Sequence, residues 1–151
     1  MTDSKLINML KALSEDEFKQ LEKFIDSPFH NKGRDLLPFF KSIKSFYPAF
    51  DHKNFSNEFI FGKLFPGKKY DTVRSENLIR TLSSHLFRII KDFLIHLELE
   101  VQTSKKKYFL LNQLRKRKLY KEFDKEYSTI NGSFDDSGKG SVGYFIDRFF
   151  L

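Results

Sequence analysis

Four histidines, an Asp-Asp-Ser triplet and one glycine-flanked lysine are the residues of this chain whose types could carry chemistry. His30, His52, His85 and His96 could hold a metal or move a proton, but none has a second histidine three or four positions away. His85 and His96, if they share a helix, stand about 16 Å apart, too far for one ion. Cysteine is absent, which removes thiolate sites, cysteine nucleophiles and disulfides. Gly138-Lys139-Gly140-Ser141 has the look of a phosphate loop without its spacing: Gly132 lies one position too far upstream, and Gly140 stands where Ser or Thr must hold magnesium. Asp135-Asp136-Ser137 sits in a Gly/Ser/Asp-rich stretch, whereas acid–base catalysis needs rigidly placed groups. The expectation is a protein without enzymatic activity, with no cofactor, no metal and no small-molecule substrate.

Charge is the second chemical resource. The net charge is +7. Residues 1–60 hold nine basic and nine acidic side chains, so the whole excess lies in residues 61–151. It is densest between Val101 and Lys121, where Lys105, Lys106, Lys107, Arg115, Lys116, Arg117, Lys118 and Lys121 meet no acidic residue. Such a run suits anionic partners, nucleic acid among them, and equally suits the solvated face of a helix.

The elements that must position these residues are helical. Leu6, Met9 and Leu13 form one stripe of a first helix. Ser14 with Glu17 reads as a capping box opening a second, with Leu13 set to pack on Phe18; Phe18, Leu21, Phe24 and Ile25 form its apolar face and Ser27-Pro28 its end. A third helix fits Asp35 to Tyr47 with Pro38 in its first turn, and a short fourth fits Asn57 to Leu64 behind Ser56. Phe65-Pro66-Gly67 stops that helix, and Asp71 caps a long one reaching about Val101, since no Gly or Pro interrupts it.

On the long helix, Ile79, Leu82, Leu86, Ile89, Ile90, Phe93 and Leu97 share one face, and Arg74, Asn77, Thr81, Ser84 and Arg88 share the opposite one, free of carboxylates. Ile95 and Leu99 continue the polar side, which predicts that another element covers it beyond Lys91. Ser104 is placed to cap the next segment, read as one helix to Ile130, with an αα-hairpin turning near Lys118 as the alternative. Residues 131–141 read as a loop, and Tyr144 to Leu151 as an apolar helical segment too short to stand alone in water.

Ser27-Pro28-Phe29-His30-Asn31, Tyr47-Pro48 and Phe65-Pro66-Gly67-Lys68-Lys69-Tyr70, followed by a long Arg/Asn/Leu-rich helix, resemble a family of uncharacterised bacterial all-helical proteins. The resemblance implies a helical fold that continues as further helical pairs, with no assigned activity. A weaker similarity is to winged-helix regulators fused to helical repeats. It would make Arg74, Asn77, Thr81 and Arg88 the groove-facing side of a recognition helix, although His96 to Glu100 reads as helix and not as a β-wing.

The sequence thus predicts an all-α, irregular bundle of about six to seven helices around one long helix, in keeping with the start of a helical repeat array. A single domain would span 1–130. The leading function is a cytoplasmic interaction or scaffold domain that docks a protein partner or another copy through Tyr144, Phe145, Phe149 and Phe150. The alternative is nucleic-acid binding through Arg74, Asn77, Thr81 and Arg88 together with the 105–121 run. Contact with anionic membranes through the same lysines ranks third, because the run shows no dedicated aromatic insertion face. No apolar stretch is long enough for a membrane span.

Overall fold

The computed structural model describes residues 4–30 and 35–132, and among these every regular element is a helix. In chain order they are α1 (Lys5–Lys11), α2 (Glu15–Asp26), α3 (Leu37–Lys44), α4 (Asn57–Leu64), α5 (Arg74–Val101), α6 (Thr103–Lys116) and α7 (Tyr120–Gly132). The chain divides into two compact units, Met1–Leu94 and Ile95–Leu151.

In the first unit the helix ends follow from local hydrogen bonding. The Ser14 hydroxyl accepts from the Glu17 amide at 3.3 Å while the Glu17 carboxylate accepts from the Ser14 amide at 2.7 Å, so two orphan donors at the start of α2 are satisfied reciprocally. Ser56 accepts from the Phe59 amide and starts α4. Asp71 Oδ1 accepts from the amides of Val73 and Arg74 and starts α5. Between these last two, Gly67 turns the chain at φ +81°, a conformation that costs a residue with a Cβ.

Helix α3 is shorter than its sequence pattern suggests. It begins only at Leu37, with Asp35 accepting from the Leu37 amide, and after Lys44 the chain leaves the helix in turns that contain a cis Tyr47-Pro48 bond. Phe50 follows at φ +52° and is fully buried. Burying a phenyl ring is worth about 1.5–3 kcal/mol, which offsets the roughly 1–2 kcal/mol that a left-handed residue costs.

Every buried hydrophobic side chain among the described residues is Leu, Ile or Phe. The α5 stripe Ile79, Leu82, Leu86, Ile89, Ile90 and Phe93 is buried as its spacing predicts, and Leu97 is half-buried. Phe93 meets Phe24 of α2 edge-on at 5.4 Å, and Phe18 packs on Phe40 of α3 at 5.1 Å. In α1 the inward face is Leu6, Ile7 and Leu10; Met9 is only half-buried, because the stripe runs one position off the expected line. The two buried polar side chains are satisfied: Ser42 donates to the Phe39 carbonyl, and Ser75 accepts from the Asp71 amide.

In the second unit the leading expectation of a single helix over 104–130 gives way to its alternative, a helical hairpin turning at Lys118. Helix α6 ends at Lys116, and the Lys118 amide donates to the Arg115 carbonyl while the Leu119 amide donates to the Leu114 carbonyl, both at 3.0 Å. Those two bonds around a left-handed Lys118, φ +59°, form a Schellman turn. Leu119 then starts α7, its carbonyl accepting from the Phe123 amide. The cap predicted at Ser104 is absent: α6 begins at Thr103 behind Gln102, with no side chain closing its first turn. Helix α7 continues to Gly132, two residues past its expected end at Ile130.

Candidate functional site

Arg74, Asn77, Thr81, Ser84 and Arg88 are all exposed on α5, so the carboxylate-free stripe exists as a surface of the first unit. Two of its hydroxyls are turned onto their own helix. Thr81 Oγ1 donates to the Asn77 carbonyl at 2.8 Å and Ser84 Oγ to the Arg80 carbonyl at 2.9 Å. Those protons are already spent, which leaves Arg74, Asn77 and Arg88 as the stripe's outward donors.

The 105–121 run belongs to the second unit and is not uniform. Lys105, Lys106 and Lys107 are half-buried at the start of α6. Lys106 Nζ lies 2.9 Å from the Glu100 carboxylate and donates to the Glu100 carbonyl at 3.1 Å. The hydrogen bond from Lys106 and then its charge hold the Glu100 carboxyl below the usual carboxylate range. Arg115, Lys116, Arg117, Lys118 and Lys121, by contrast, are exposed around the hairpin turn. Arg115 donates to Asn112 Oδ1 and Arg117 to the Gln113 side chain and carbonyl. The side chains of Lys116, Lys118 and Lys121 have no hydrogen bond or ion pair to any described residue.

The same unit exposes large apolar side chains. Ile95 is 59% exposed and Val101 73%, so the element expected to cover the α5 face beyond Lys91 does not bury Ile95; Leu99 is half-buried. Phe109 and Leu110 are about half exposed on α6, while Leu111 beside them is buried. Leu119 is 41% and Tyr120 60% exposed at the turn, amid the cations. The sequence reading missed Phe109, Leu110 and Tyr120 as surface residues. A signal was present, because four consecutive apolar residues, Tyr108 to Leu111, span more than one face of a helix. Tyr144, Phe145, Phe149 and Phe150, the docking residues expected from sequence, lie outside the described residues, as do Gly138 to Ser141 and Asp135-Asp136.

A depression of about 480 Å³ in the first unit is lined by Asp35 and Pro38, by Phe39 of α3, by Leu64 and Phe65 at the end of α4, and by Leu78 and Leu82 of α5. Among the described residues Asp35 is the one charged group in its lining, and Asp35 Oδ1 is already accepting from the Leu37 amide. Among the described residues, no three of His, Asp and Glu gather in a metal-holding group, and no helix is long and apolar enough to cross a membrane. No protein-family model, curated protein or solved structure matches the chain.

Proposed function

We propose that this chain is a non-enzymatic helical interaction domain of the cytoplasm, which docks a protein partner through the second unit. The exposed Phe109 and Leu110 on α6 carry the reading: apolar side chains of this size, left on a surface next to one another, gain most by being covered. The partner tested first is a second copy. Light scattering over a range of concentrations is expected to show association, and replacing Phe109 and Leu110 by Ser is expected to abolish it. A monomer at every concentration, unaltered by the substitutions, removes self-association.

A second reading is nucleic-acid binding, supported by the exposed, carboxylate-free stripe Arg74, Asn77, Thr81 and Arg88 and by the exposed lysines of the hairpin turn. Its test is salt. Binding to duplex or single-stranded nucleic acid should weaken steeply as salt rises, and Lys116→Ala, Arg117→Ala and Lys118→Ala together should reduce the logarithmic slope by roughly two to three. No binding at low salt ends this reading.

A further inference from the structure

We infer that the turn of the α6–α7 hairpin is a docking tip for an anionic membrane surface, with Leu119 and Tyr120 entering the headgroup layer and the surrounding cations meeting lipid phosphates. Three observations carry it. Every residue from Arg115 to Lys121 is exposed, and the seven positions hold five cations and no acid. The turn is closed by its two Schellman bonds, with Arg117 alone among these side chains adding a bond to a last-turn carbonyl, that of Gln113. Lys116, Lys118 and Lys121 are consequently left without a partner among the described residues while Leu119 and Tyr120 stand out between them.

Charge and shape select the partner. A protein acid patch or a nucleic acid would account for the cations, but neither accounts for an exposed leucine at the apex. Single-stranded nucleic acid asks for a basic groove with successive stacking rings. Here the cations are gathered on one turn and only one ring is among them. A bilayer interface uses both kinds of group: the ring and the branched alkyl chain reach the acyl boundary, tyrosine keeps its hydroxyl in the headgroups, and lysine and arginine remain with the phosphates. The aromatic insertion face that the sequence pattern did not reveal is created by the turn itself. It exists because Lys118 adopts the left-handed conformation and brings Leu119 and Tyr120 onto the tip.

The chain contains no tryptophan, so Tyr120→Trp places a single indole reporter at the tip of the 151-residue chain. With vesicles of phosphatidylcholine and phosphatidylserine, the emission is expected to shift to the blue and the protein to co-sediment. Vesicles of phosphatidylcholine alone should give neither, and added salt should reverse the binding. Lys118→Glu and Lys121→Glu should each lower partitioning by more than the roughly fivefold expected for loss of one cation near such a surface. Leu119→Ser should weaken binding without altering its salt dependence, and all of these exposed variants should keep the parent's circular dichroism. The inference is overturned if the indole emission and sedimentation ignore anionic vesicles. It is equally overturned if single-stranded nucleic acid quenches the indole while vesicles leave it unchanged, which would assign the tip to base stacking.

Discussion

The Tyr47 hydroxyl donates a hydrogen bond to the Leu13 carbonyl at 2.8 Å, joining the turn after α3 to the turn between α1 and α2. The same ring stacks on Phe18 at 4.0 Å. One side chain therefore closes the first unit both by a directional bond and by packing. Tyr47→Phe keeps the ring and should cost about 1 kcal/mol, whereas Tyr47→Ala should cost about 3 kcal/mol or more. Urea unfolding of both variants checks the order; equal losses would mean that the ring contributes nothing beyond its hydroxyl.

Phe93 anchors α5 against α2, with 1% of its surface exposed and its ring edge-on to Phe24. Phe93→Ala is expected to destabilise by about 3–5 kcal/mol, a large part of the roughly 5–15 kcal/mol that a domain has in total. Phe93→Leu should lose much less. Thermal melts followed by helical circular dichroism give the comparison.

Lys118 holds the left-handed position of the Schellman turn without being glycine. Lys118→Gly removes the Cβ conflict and should stabilise the hairpin by up to about 1 kcal/mol, part of the gain being returned as unfolded-chain entropy. Lys118→Val should destabilise, because a β-branched residue tolerates this conformation worst. Amide hydrogen exchange across residues 115–121 reads both changes locally, and slower exchange in the valine variant would contradict the geometry.

Tyr70 titrates above the ordinary tyrosine range, first because of burial and then because of the Glu76 carboxylate, whose Oε1 lies 3.5 Å from its hydroxyl, with Glu58 adding in the same direction. A raised value in the folded state means that folding favours the neutral phenol. Its contribution is complete below the tyrosine range of the unfolded chain and is lost as the pH climbs through the folded one. Stability should therefore decline in the alkaline range, and Tyr70→Phe should decline less. Denaturation across an alkaline series, with phenolate absorbance recorded for both proteins, tests this.

The polar caps of α2, α4 and α5 were legible in the sequence, because Ser14, Ser56 and Asp71 each satisfy orphan amides that any helix start exposes. The α5 core face was readable for the same kind of reason, its period being long and uninterrupted. The hairpin turn was legible only as the alternative to one helix over 104–130, since its left-handed residue is a lysine and not the glycine that would have marked the stop. The α1 face was missed because seven residues give too few repeats to fix a phase. Of the candidate site, the exposure of Arg74, Asn77 and Arg88 followed from the α5 periodicity, whereas Leu119 and Tyr120 became surface groups only through the turn. The depression beside Phe39 depends on how α3, α4 and α5 meet, which no single segment encodes.

The restriction of the described core to leucine, isoleucine and phenylalanine has a chemical consequence. None of these side chains carries sulfur or indole, so the interior offers no group that peroxide readily attacks. Met9 is half-buried at the margin of α1 and is the one thioether among the described residues. Its conversion to the sulfoxide would alter the rim of the first unit and leave the packing beneath chemically intact, making the fold resistant to oxidants by composition, without any protective device.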